Sequence, residues 1–264
     1  MKIESKEGFV DVGRVSIRKI NKNIAKDMIV KNHYSHAWSL CTYAMGVFYR
    51  TDGESAFFEG KEDKLIGCLI YGNPVGRSSA CMISKSVKSE EVLELTRLWI
   101  ADGYGKNIES YCISKSFDWI RLNDKSIKVI LSFADPEQNH QGKIYQATNF
   151  LFTGLNSETN LMPNFSISLT GPEDGYKWIH SRTVQSKWKS SNIDHLKRQI
   201  GRTFYRKKES GKYRYIYFLG NKKEKREFVK NLNHPPLPYP KACDFSLEIE
   251  RIEVKERVSP FLKF

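Results

Sequence analysis

The strongest constraint on the fold is a change of apolar period that recurs along residues 1–155. Residues 10–20 read as a strand. Residues 23–31 follow with helical spacing at Ile24, Met28 and Ile29 behind an asparagine cap. Two β-rich runs, 41–49 and 64–71, flank a polar segment containing Asp52-Gly53, which signals a hairpin. Residues 92–101 read as another strand. The clearest helix spans 107–122, where Ile108, Cys112, Ile113, Phe117 and Ile120 form one stripe. A β-branched strand at 127–134, a brief helix at 143–149 and a strand from 150 complete the series. The order β-α-β-β-β-α-β-α-β predicts an α/β fold, a mixed sheet flanked by helices. With 264 residues and 40% hydrophobic content, the chain can bury such a core.

Charge separates the chain into parts. Residues 176–241 hold 18 Lys and Arg against 4 Asp and Glu, while the remainder holds 25 against 26. The whole surplus of +13 therefore comes from one stretch, and such a surplus favours a polyanionic partner. Aromatic residues interleave with it, among them Trp178, Trp188, Phe204 and Tyr205. Cations neutralise phosphates and aromatic faces stack on exposed bases, so this segment reads as a nucleic-acid-binding extension. Its expected contacts are Lys187, Lys189, Arg198, Arg202, Arg206, Lys207 and Arg214. Within it the patterns predict strands at 177–183 and 213–219, helices at 193–201 and 222–232, and an extended proline-rich run at 234–241. The expected organisation is a core at 1–175, the basic extension at 176–241 and a C-terminal segment at 242–264, a peripheral strand or a tail.

No stretch approaches the roughly 18 apolar residues that a membrane span requires, and no long amphipathic helix suggests a membrane surface. Residues 1–11 lack the apolar middle of a signal peptide. The five cysteines have no Cys-x-x-Cys spacing and read as reduced thiols of a cytoplasmic protein.

Three segments carry chemistry. Asn32-His33-Tyr34-Ser35-His36 places two imidazoles close together, as metal ligands or with one as a general base. With Asp135, His33 and His36 would make a two-histidine, one-carboxylate site of the kind that holds iron. Glu94-Leu95-Thr96-Arg97-Leu98-Trp99-Ile100 leads through Gly103 and Gly105 to a helix opening at Asn107. A strand, a glycine turn and a helix N-terminus together offer free amides to an anion, and Ser110 adds a hydroxyl. Ser132-Phe133-Ala134-Asp135 puts a carboxylate at a strand end, where Tyr145 of the next helix can join it as an acid.

Over residues 30–154 these segments, in this order, resemble the GNAT N-acetyltransferase fold and, more narrowly, the phage Mom DNA-modification family. Arg97-Leu98-Trp99, Ser132-Phe133-Ala134-Asp135, Ile144-Tyr145 and the His33 segment carry the resemblance. It implies a splayed strand in the sheet and active-site roles for His33, Arg97, Ser110, Asp135 and Tyr145, with Asn107 at the donor site. It further implies conversion of adenine in double-stranded DNA to N6-carbamoylmethyladenine, in the cytoplasm of a bacterial host, as protection from restriction. The turn Gly103-Tyr104-Gly105-Lys106-Asn107 departs from the usual pyrophosphate loop, which has a basic residue or Gln before paired glycines. The donor therefore stays open between acyl-CoA-type groups, acetyl-CoA included, and others. Two other functions fit the same residues: a non-catalytic DNA-binding protein on a degenerate acyltransferase fold, and an N-acetyltransferase of protein or RNA amines.

Overall fold

The computed structural model describes residues 8–51, 62–74, 83–156, 163–243 and 247–254; the expected Asp52-Gly53 turn and Cys81 lie outside them. The chain divides into two units. The first comprises residues 1–135, 140–155 and 213–241, and the second 136–139, 156–212 and 242–264. The basic stretch is thus shared between the units, because its strand at Tyr213–Phe218 belongs to the sheet of the first.

The first unit contains β1 (Val15–Lys19), α1 (Lys22–Asn32), β2 (Tyr43–Thr51), β3 (Glu62–Gly72) and β4 (Val92–Ile100). After them come α2 (Ile108–Asn123), β5 (Val129–Ala134), α3 (Lys143–Ala147) and β6 (Leu151–Leu155). This is the predicted order. Asn21 caps α1 by accepting the Asn23 N–H at 2.8 Å. Seven strands pair in the order β1-β2-β3-β4-β5-β10-β6, with β10 the Tyr213–Phe218 strand. Every pair is antiparallel except β4 with β5.

Side chains alternate across the sheet. Ala25 and Ile29 of α1 pack on Ala44, Cys68 and Ile70. On the opposite face Tyr71 reaches α2, where its hydroxyl meets Ser116 at 2.6 Å. Phe117 of α2 stacks on Tyr217. Helix α6 (Lys222–Lys230) is held by an Asn221–Glu224 capping box and packs Phe228 against Val129, Leu131 and Phe218. The proline-rich run lies along β6: the Leu237 N–H donates to the Phe152 carbonyl at 2.8 Å, and the Tyr239 hydroxyl to Phe150 at 2.7 Å. Proline cannot extend a ladder outward, so the run closes an edge that would otherwise offer unpaired backbone groups.

The parallel pair positions the site. β4 and β5 are in register only at Val92–Val129, Leu93–Ile130 and Glu94–Leu131. Beyond that, β4 follows β3 to Ile100 while β5 follows β10 to Ala134, so the two strands part. This is the splay that the resemblance implies. The β3–β4 register shifts at the same level, between Ile70 and Tyr71, where Thr96 is the extra residue. Such bulges re-aim the side chains around them.

The second unit is a four-stranded antiparallel sheet ordered β11-β9-β7-β8, with β7 at Phe165–Ser168, β8 at Trp178–Ile179, β9 at Phe204–Lys208 and β11 at Ile249–Ile252. Two helices, α4 (Ser181–Trp188) and α5 (Ile193–Ile200), bring Val184 and Leu196 onto Ile167, Phe204 and Ile252. The strand expected at 177–183 ends after two residues and becomes α4. His180 accepts the Arg182 N–H, and Glu209 accepts both the amide and the hydroxyl of Ser181 at 2.7 and 2.8 Å. These caps outweigh the β propensity of Trp178 and Ile179.

Candidate active site

Ser132 marks the point where the strands part. Its hydroxyl donates across from β5 to the Leu95 carbonyl of β4 at 3.1 Å and also bonds to the Tyr145 hydroxyl. Tyr145 is delivered there by α3, which begins at Gly142. That glycine has φ +73°, and a Cβ on it would collide with the Tyr215 ring at 2.4 Å. Tyr145 packs against Phe150 and Tyr215. Burial pushes its hydroxyl up to about 12, with the Ser132 hydrogen bond pulling the other way. A tyrosine so placed holds its proton throughout the physiological range and so enters a reaction as a hydrogen-bond donor or acid rather than as a base.

Tyr34 is the hub of the group. Its ring lies 4.3 Å from His33 and, edge-on, 5.3 Å from His140. Its hydroxyl is raised by burial and by the Asp135 carboxylate, and Arg97 opposes this. It also bears on Tyr145. His33 is buried, and its Nδ1 accepts from the Ser35 backbone N–H at 3.1 Å, leaving the ring proton on Nε2. Burial first, then the charges of Arg97, His140 and His36, lower it to about 4. It is therefore a neutral hydrogen-bond donor near pH 7 and a weak base. Arg97 is fixed by Nε to the Ala37 carbonyl at 3.1 Å and by Nη1 to the Thr96 carbonyl at 2.6 Å. Among the described residues its Nη2 has no partner, which leaves one face of the guanidinium for an anion.

The structure thus brings His33, Arg97, Asp135 and Tyr145 together from three separate segments. It adds Tyr34, Ser132 and His140, which the sequence reading left without roles. Tyr34 and Ser132 sit inside the motifs themselves. His140 carries no signal in spacing, and reaches the site because its N–H turns back to the Asp135 carbonyl at 3.1 Å.

The metal site expected at His33, His36 and Asp135 is not formed. Among the described residues no three His, Cys, Asp or Glu side chains converge to hold an ion. His36 is exposed, in the left-handed region at φ 45°, with Nδ1 turned to the Val30 carbonyl at 3.0 Å. These residues do not fit iron.

Asn107 and Ser110 stand apart, at the far end of β4. Gly103, Gly105 and Asn107 all have positive φ, and Gly105 abuts the Val10 backbone so closely that a Cβ would lie 2.7 Å from it. Asn107 makes no side-chain cap and the Ser110 hydroxyl donates to its carbonyl at 3.0 Å, so the first-turn amides of α2 lack a side-chain acceptor. Uncapped amides at a helix start suit a phosphate.

Of the expected nucleic-acid contacts, Lys187, Lys189, Arg198 and Arg202 are exposed in the second unit. Arg206 and Lys207 on β9 are ion-paired with Glu250 and Glu137. Arg214 is a correction: it is 6% exposed in the first unit, with Nε on the Thr153 hydroxyl and Nη2 on the Thr153 carbonyl. It holds β10 to β6 rather than facing a phosphate. No described helix is long and apolar enough to cross a membrane.

Residues 14–241 match the Mom protein family. Methylcarbamoylase mom of Escherichia phage Mu is 29% identical over 217 residues, covering 81% of this chain and 80% of the relative. Among solved structures, spermidine N-acetyltransferase from Vibrio cholerae with CoA and spermine overlays with a TM-score of 0.39 at 9% identity, covering 78% of this chain and 96% of the other. An N-acetyltransferase from Staphylococcus aureus Mu50 gives 0.38 at 12% identity, covering 78% and 99%. Overlays this loose say nothing of the chemistry.

Proposed function

The chain belongs to the Mom protein family, and from that premise we propose that it is a transferase that attaches a carbamoylmethyl group to N6 of adenine in duplex DNA, so shielding phage DNA from restriction. The phage Mu relative is named a methylcarbamoylase, after an isomer of the carbamoylmethyl group that has the same mass. The observation that carries the reading is the meeting of Tyr145, Asp135, Arg97 and His33 around Tyr34 where β4 and β5 part.

Adenine's exocyclic amine is a weak nucleophile, because its lone pair is shared with the ring, and the base must leave the stack to reach a site of this kind. Asp135 orients the amine and takes the proton lost as the new N–C bond forms. Tyr145, kept protonated by burial, gives its proton to the departing group. His33 offers Nε2–H as a neutral donor. Nη2 of Arg97 and the amides of the Asn107–Ser110 turn would hold anionic parts of the donor. Because a carbamoylmethyl group joins N6 through its methylene, the donor would have to supply a CH2 carbon bearing both the carboxamide and a leaving group, which the carbonyl carbon of a simple acyl-CoA does not.

The test is mass spectrometry of nucleosides digested from DNA of cells that express the chain. A new adenine nucleoside about 57 Da heavier is expected, the net gain when the group replaces one hydrogen of the flipped base's amine. An unchanged profile with soluble, folded protein would overturn the reading in favour of DNA binding alone.

A further inference from the structure

The cations of the second unit fall into two classes. On β9 two of the three are spent on carboxylates, Arg206 on Glu250 and Lys207, 12% exposed at its side chain, on Glu137, while Lys208 is exposed. Those on α4, on α5 and in the segments that follow them are not spent in this way. Arg182, Lys187, Lys189, Arg198 and Arg202 are exposed, and none has a carboxylate within ion-pairing distance among the described residues.

The element that carries them is two eight-residue helices joined by the four-residue turn 189–192. Its geometry is locked. Lys189 ends α4 in the left-handed region at φ 60°, with its N–H on the Gln185 carbonyl at 2.9 Å. Asn192 opens α5 by accepting the N–H groups of Asp194 and His195 at 2.9 and 3.1 Å. The His195 ring bonds back to the Trp188 carbonyl at 2.9 Å and ties the second helix to the end of the first. Ile193, Leu196 and Ile200 turn inward. Arg198 and Gln199 are left exposed on the outer side, with Arg202 just past the Gly201 cap.

We infer that this helix–turn–helix is the duplex-docking element of the protein, with Arg198, Gln199 and Arg202 of the α5 end meeting base edges and Arg182, Lys187 and Lys189 meeting phosphates. The inference rests on the DNA substrate proposed above and adds which surface meets it. An eight-residue helix is about 12 Å long, and the major groove of B-DNA, about 12 Å wide, admits one. Arginine and glutamine are the side chains that pair bidentately with guanine and adenine edges there. A second helix held against a first by a short turn is the usual way of presenting such a face. The unpaired lysines supply the sequence-independent part of the affinity through counterion release.

The test is binding of the full chain to a fluorescent B-form duplex, without donor, across a salt series. R198A/R202A leaves the inward face untouched, so its thermal midpoint should match wild type. It should weaken duplex binding at least about tenfold with the slope of log affinity against log salt little changed, whereas K187A/K189A should lower that slope by about two. K222A/K223A on α6 of the first unit is the control for charge removal elsewhere, and should change affinity less than about twofold. Wild-type affinity in R198A/R202A, an equal loss in the α6 variant, or equal binding to an A-form RNA duplex would each overturn the inference. Adenine modification by the wild type with undiminished binding by R198A/R202A sinks this inference alone. An unmodified genome alongside α5-dependent binding sinks only the proposed reaction.

Discussion

Arg214 in the first unit and Arg198 in the second carry the same guanidinium into opposite surroundings. Arg214 lies between two strands with Nε and Nη2 bonded to Thr153, whereas Arg198 stands on the outer side of α5 with no carboxylate in ion-pairing range among the described residues. The difference extends to the units themselves. Around the β4–β5 splay, charge is sparse and partly buried, and burial holds His33 neutral and Tyr145 protonated. Along α4 and α5, charge is abundant and open to solvent. Low dielectric strengthens directional proton transfer, while open cations act at a distance and weaken with salt. We propose the first region for the chemistry and the second for holding the polyanion.

Three substitutions test this contrast. The largest effect is expected from Arg97→Ala, which removes the unpartnered Nη2 from the site. Modification should fall by about 100-fold, while duplex affinity in the salt series stays within about twofold of wild type. A parallel loss of DNA affinity would mean that Arg97 belongs with the docking cations. Next is Arg214→Ala, which strands the buried Thr153 acceptors. Urea denaturation should show a loss of about 2 to 3 kcal/mol, with affinity per folded molecule unchanged. A stable variant with weak DNA binding would return Arg214 to the nucleic-acid surface. The smallest effect concerns pH. The unfolded His33 takes a proton near 6.5, but the folded ring resists until about 4. The unfolded state therefore binds more protons in that window, and stability falls as pH drops through it. His33→Gln should show a smaller difference in urea midpoint between pH 7 and pH 5 than wild type does. Equal differences would show that His33 is not held neutral by its surroundings.

Much of the first unit was legible because its signals are local. The stripe from Ile108 to Ile120 and the β-branched run of β5 depend only on residues a few positions apart. The same is true of Asp135 at the end of β5 and Tyr145 in the following helix. Signals that depend on distant partners were not legible. α4 starts where it does because Glu209, 28 residues later, accepts from Ser181. β7 and β9 exist by pairing with one another, and β9 is too rich in Lys and Arg to read as a strand. Arg214 alternates with aromatics like any surface residue of a half-exposed strand, until β6 brings Thr153 beside it. The iron-type triad failed for the same reason: close spacing of His33 and His36 does not decide where each ring turns.

The most direct test of the account pairs nucleoside mass spectrometry with duplex binding for Asp135→Ala and Tyr145→Phe, each expressed beside wild type. Wild-type cells should yield the heavier adenine nucleoside, and both variants little or none while still binding DNA like wild type. Undiminished product from both folded variants would contradict it, and would place the chemistry somewhere other than the parting of β4 and β5.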